Sequence, residues 1–151
     1  ALLHLNIPHV ALDNDPKRFI AAASDGYKVT FGAASDFRML STLDAMQAKA
    51  LVLGLSNYTV SKSLTTEVHE RFPKLTRFVV VESVEDHARH KALGMQAHLG
   101  ATSMDSIALA GEVLRTLDVS EERIEEWTSA EIERLGRDEA TASTPETTEA
   151  A

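Results

Sequence analysis

Residues 7–20 read IPHVALDNDPKRFI, and three features follow one another within them. Ile7-Pro8-His9-Val10-Ala11-Leu12 is an apolar run of strand length. It stops at Asp13, and Asp15-Pro16 then reads as a helix N-cap with proline in the first turn. Phe19, Ile20 and Ala23 share one side of the helix that this cap starts, and Gly26 is placed to end it. A strand that finishes on an acid and turns at once into a helix is the opening of a βαβ unit.

The same alternation continues outward. Lys28-Val29-Thr30-Phe31 is a second strand, stopped by Gly32, and Ser35 is placed to cap a short helix with Phe37, Leu40 and Leu43. Ala50-Leu51-Val52-Leu53 is a third strand ending at Gly54. Asn57 then caps a helix on which Val60, Leu64, Val68 and Phe72 recur every fourth position. Phe78-Val79-Val80-Val81 is apolar on both faces, as a central parallel strand must be. Ser83-Val84-Glu85-Asp86 is a capping box for a helix running to Leu93 and closed by Gly94. Gln96-Ala97-His98-Leu99 is a fifth strand. Ser103 caps a helix with Ile107, Leu109, Val113, Leu114 and Leu117. Ser120 opens an acidic helix with Ile124, Trp127 and Leu135. Repeated strand–helix alternation with short loops predicts an α/β, doubly wound parallel sheet with right-handed crossovers. The domains expected are residues 1–117 as the α/β domain, 118–135 as the acidic helix, and 136–151 as a disordered tail low in complexity.

Composition narrows the function classes. The net charge is −8, yet residues 1–117 carry twelve acidic and twelve basic side chains. The imbalance lies in residues 118–151, with eleven acidic and three basic, so the globular part has no basic excess for nucleic acid. No cysteine is present, which excludes disulfides, thiolate metal sites and cysteine nucleophiles. No apolar run reaches the roughly 20 residues of a membrane helix, so this segment is expected not to insert into a bilayer.

In open α/β sheets ligands bind beyond the carboxyl ends of the strands. Those ends read Asp13-Asn14-Asp15, Gly32-Ala33-Ala34-Ser35, Gly54-Leu55-Ser56-Asn57, Glu82-Ser83 and Gly100-Ala101-Thr102-Ser103. Asp13 reads either as an acceptor for ribose hydroxyls or as a turn residue. Gly32-Ala33-Ala34-Ser35 reads as a close approach to a flat ring or as a plain tight connection. Asn57 reads as a ligand contact or an N-cap, and Glu82 as a rim contact or a solvated acid. The glycine-rich phosphate loop that precedes such an acid by about 20 residues is not found, and residues 1–6 look like the end of the helix that follows it. Of six histidines, His87 and His90 are three apart on a helix. Without a completing ligand they read as a surface pair, and no metal site is expected. There is no catalytic constellation.

Together VALDNDPKRF, YKVTFGAASDFRMLSTLDAMQAKALVLGL, HARHKALGMQAHLG and LAGEVLRTLDVSEERIEEW resemble the potassium-transport nucleotide-binding domain, the TrkA-N or RCK-N family. The likeness is strongest to the C-terminal cytoplasmic domain of Kef-type monovalent cation:proton antiporters, and covers residues 1–127. The resemblance implies a Rossmann-like sheet that lacks its first strand here. In the family that strand lies between those ending at Asp13 and Leu53, so its loss opens a seam. It implies a non-catalytic, regulatory domain at the cytoplasmic face of the membrane, sensing NAD(H) or AMP or another adenine nucleotide. Binding by this chain alone is expected to be weak or absent. Its implied partners are a membrane transporter domain of the same parent chain and a second copy, meeting around Val84, Ala88 and Ala92. Asp13, with Asn14 beside it, would take the ribose. Gly32, Ala33, Ala34 and Ser35 would border the adenine, and Gly54 and Asn57 the diphosphate. Two departures stand out. The family's Gly-Asp-Ala segment is Gly32-Ala33-Ala34, and Glu82-Ser83 stands where an arginine region is common. The rival readings are the cofactor half of an NAD-dependent oxidoreductase and a receiver-like interaction module. A substrate domain would mark the first. A phosphoacceptor Asp after the third strand would mark the second, and Gly54-Leu55-Ser56 stands there instead.

Overall fold

A computed structural model of the chain describes residues 1–33, 36–42, 47–54, 58–100 and 102–142. Two compact units divide it, Ala1–Gly100 and Ala101–Ala151.

Among the described residues the first unit contains five strands, each paired in parallel. β1 (Ala11–Asp13) and β2 (Val29–Phe31) flank helix α1 (Pro16–Ser24). The short α2 (Phe37–Thr42) leads to β3 (Ala50–Leu53), α3 (Tyr58–Arg71), β4 (Thr76–Val81), α4 (Val84–Ala92) and β5 (Gln96–Leu99). Hydrogen bonding makes two sheets, β1–β2 and β3–β4–β5. Among the described residues no strand joins β1 to β3, which is the seam expected from a Rossmann-like sheet without its first strand. The register runs Leu12 to Thr30 in one sheet, and Val52 to Phe78 and Val80 to His98 in the other.

The core sits beside the three-stranded sheet. Leu53, Val79 and Val81 meet Leu64 and Val68 of α3 and Phe72 just past its end, together with Leu40 and Met95. Phe78, Val79 and Val81 are all buried, as β4's central place requires. α3's stripe is as the four-residue period predicts, with Val60 packed at its margin. Gly94 ends α4 at φ +72°, and Gly26 follows α1 at +82°, conformations that cost little only without a Cβ.

Several boundaries differ from the sequence reading. β1 begins at Ala11 rather than Ile7. Pro8 has no N–H to give a ladder, and His9 turns its ring onto the Ile7 carbonyl at 2.8 Å. Residues 1–6 make one helical turn. The Ile7 N–H donates to Leu2 and the Asn6 N–H to Leu3, with Asn6 left-handed at φ 55°. Ile20, on the side of α1 shared with Phe19 and Ala23, is exposed, and α1 buries no residue. Asp36 holds the start of α2, accepting the Arg38 N–H at 3.0 Å; Ser35 lies outside the described residues.

The second unit pairs α5 (Ser103–Thr116) with α6 (Glu121–Ala142). Its first cap is Thr102 rather than Ser103, in a reciprocal box with Asp105. Ile124 reaches within 3.8 Å of the Cβ position at Gly111, so that glycine sits where the helices come close. The Arg115 fork grips Glu121 at 2.8 and 3.1 Å across the turn. α6 does not stop at Gly136 but continues to Ala142, so the first part of the expected tail is helical. Gly136 has no positive φ, and Glu131–Arg134 and Glu133–Arg137 ion pairs span it or lead into it. The rest of the expected tail lies outside the described residues. No described helix is long and apolar enough to cross a membrane.

Candidate functional site at the strand ends

Asp13 is the last residue of β1, and chain geometry assembles a polar cluster on it. The Gly32 N–H donates to the Asp13 carbonyl at 3.0 Å, so the ends of β1 and β2 are tied together. The Asp13 carboxylate accepts the Asp15 N–H at 2.8 Å. It also receives the guanidinium of Arg18, Nε on Oδ2 at 2.9 Å and Nη2 on Oδ1 at 3.1 Å. That fork holds the Asp13 carboxyl below its ordinary value, and the Asp15 N–H adds to the effect. Asp15 itself caps α1, accepting the N–H groups of Lys17 and Arg18.

The structure therefore brings Asp13 and Gly32 together, with Asn14 exposed beside them. The Met39 thioether end occupies the space a Cβ at Gly32 would take. Ala33 follows in the same turn, its carbonyl accepting the Asp36 N–H. Gly54 ends β3 in the other sheet, with nothing near its Cβ position. Ala34, Ser35 and Asn57 lie outside the described residues.

Arg18 was missed in the sequence reading. A helical side chain leans toward its own N-terminus, so the third helical residue after a strand-end acid can reach back to it. That spacing was the available signal. His90 was misread as half of a surface pair. Its ring is wholly buried, with Nδ1 donating to the Asp86 carbonyl at 2.8 Å and Nε2 accepting from the Ser61 hydroxyl at 3.1 Å. Both ring nitrogens are thereby used, and no described cluster of residues could hold a metal ion. The network extends through α3, where the Thr65 hydroxyl donates to the Ser61 carbonyl and Arg77 donates to Thr65. Arg77 also reaches the Leu93 carbonyl at the end of α4, and burial lowers its pKa. The Tyr58 ring, at the start of α3, lies edge-on to His90 and carries the Arg89 guanidinium over its face at 4.1 Å.

A carboxylate at a strand end suits a ribose hydroxyl. Anion seats are scarcer. α1, α4 and α5 begin at Asp15, at Ser83 with Glu85 and Asp86, and at Thr102 with Asp105. The start of α1 and of α5 already presents amides to carboxylates, and at α4 the Asp86 N–H donates to the Ser83 hydroxyl. α3 has no acid in its first turn.

A wholly parallel α/β unit with its acid at a strand end is a domain of the Rossmann-like class. The chain belongs to the TrkA-N domain family, which residues 1–103 match. It is similar to the glutathione-regulated potassium-efflux system protein KefC of Escherichia coli O139:H28, 27% identical over 95 residues, 63% of this chain and 15% of KefC. KefC of Shigella boydii serotype 18 matches equally. The chain thus spans about 15% of the length of these relatives. Among solved structures, the TrkA-N domain of the inner membrane protein ybaL from Escherichia coli shares the fold. Its TM-score is 0.56 at 18% identity, covering 75% of this chain and 82% of that one.

Proposed function

We propose that this chain is a regulatory, non-catalytic domain that senses NAD(H), AMP or another adenine nucleotide for a potassium-efflux or cation:proton antiporter. The observation that carries the reading is the Asp13 carboxylate at the carboxyl end of β1, a residue whose backbone carbonyl accepts the Gly32 N–H at the end of β2. Asp13 takes the ribose, with Asn14 beside it. Gly32, Ala33, Ala34 and Ser35 border the base. Gly54 and Asn57 lie toward the diphosphate, and the acid-free start of α3 supports that side. The relatives' potassium-efflux role supports the transporter as partner. Nucleotide shifts the population between two domain arrangements, and the attached transporter reads the shift from the cytoplasmic side.

Titration calorimetry with NADH and AMP tests the reading on this chain and on a form extended upstream. The extended form is expected to bind, and the 151-residue chain weakly or not at all. Binding by neither would refute the sensing role, and tight binding by both would refute the need for an upstream phosphate loop. The second copy meets this one around Val84, Ala88 and Ala92, all exposed on α4. Mass measurement in solution checks this, and a monomer at high concentration counts against it.

A further inference from the structure

We infer that Arg18 is a latch on the ribose seat: its guanidinium occupies the Asp13 carboxylate, and a ribose diol engages that carboxylate only by displacing it. The inference rests on the nucleotide reading and adds to it the residue that sets how strongly the sugar is read.

A carboxylate offers about four acceptor positions, two on each oxygen. At Asp13, Oδ1 is full, holding the Asp15 N–H and Arg18 Nη2, and Oδ2 holds Arg18 Nε. A vicinal diol that donates one hydroxyl to each oxygen finds Oδ1 closed. The Asp15 N–H belongs to the turn that sets the α1 cap, so it is fixed by the backbone. Arg18 can leave: its side chain is 54% exposed and on a long flexible stem. With the fork withdrawn, a position opens on each oxygen, which is what a diol requires. An exposed ion pair is weak and salt-screened. A ligand can therefore displace it, and the displacement remains large enough to measure.

The test compares AMP with 2′,3′-dideoxy-AMP, which keeps the base and phosphate but lacks the diol. Each is titrated into wild type, Arg18→Ala, Arg18→Lys, Asp13→Asn and the double variant, in this chain and in the upstream-extended form. Circular dichroism verifies that the fold is kept. The readout is the ratio of the dideoxy Kd to the AMP Kd, which cancels any attraction of Arg18 for the phosphate. Arg18→Ala is expected to raise the ratio by about two- to fivefold, the scale of an exposed ion pair, and Arg18→Lys by less. Added salt should raise the wild-type ratio toward that of Arg18→Ala. Asp13→Asn should bring the ratio near unity, and adding Arg18→Ala should not restore it. If AMP binds but Arg18→Ala leaves the ratio unchanged or lower, the latch is wrong and the nucleotide reading stands. If AMP binds to none of these proteins at millimolar concentration, the nucleotide reading fails and the latch with it.

Discussion

The β1–α1–β2 segment and the β3–β4–β5 segment are built from the same strand–helix pattern, yet they are held by different forces. In the first no residue is buried. Phe19 meets Phe31 edge to face at 5.6 Å, while Ile20, Tyr27 and Phe31 remain at least half exposed. Its other ties are hydrogen bonds, the Asp13–Arg18 ion pair and the half-buried Leu12, which packs against the core of the other segment. In the second, Val79 and Val81 are fully buried under Leu64, Val68 and Phe72. A polar network from Arg77 through Thr65 and Ser61 to His90 leaves no described buried side-chain polar atom unpaired. Core burial makes one segment stable and its absence leaves the other adjustable. The proposed ribose seat stands on the adjustable one.

The largest expected effect lies in the well-packed segment. Leu64→Ala should cost about 2–5 kcal/mol by lost transfer energy and cavity formation, read as a shift of the urea midpoint. A loss near that of a surface change would show that the core is not where stability resides. Next comes His90→Ala, at about 2–4 kcal/mol, because it empties a buried site and strands the Ser61 hydroxyl. Ser61→Ala should cost about 1 kcal/mol, and similar costs for the two would argue against a shared network.

Phe19→Ala should cost about 0.5–1.5 kcal/mol, the worth of an aromatic pair. It should speed amide exchange in β1, α1 and β2 while leaving β3–β5 protected. Uniform acceleration would mean that the two segments open together. The smallest effect is Arg18→Ala, and it should depend on pH. The folded Asp13 carboxyl lies below its ordinary 3.8 because of Arg18. The pair therefore contributes stability that is complete above that value and is lost as pH falls through the lower folded value. The Tm difference between wild type and Arg18→Ala should be present at neutral pH and vanish in stronger acid. A difference that grew with acidification would contradict the ion pair.

Much of this was legible in the residues because the signals are local. Asp15-Pro16, Ser83 with Asp86, and the Leu64–Val68–Phe72 period each fix a helix through contacts within a turn or two. What misled were signals whose meaning depends on a distant partner. His90 looked like surface because its spacing from His87 suggested a pair, and only Ser61, 29 residues away in sequence, marks it as buried. Ile20 shares a helix side with Phe19, and periodicity cannot tell whether anything covers that side. Gly136 looked like a stop, whereas the helix carries through it with charge pairs nearby.

The sequence by itself determined the order of strands and helices, their parallel class and the acid at the first strand's end, since these follow from short-range sterics, capping and hydrophobic period. Tertiary structure alone decided that Arg18 closes on Asp13, that His90 is buried, and that Ile20 is left exposed. Each of those depends on which groups the folded chain brings within a few ångströms, a matter that neither composition nor spacing carries.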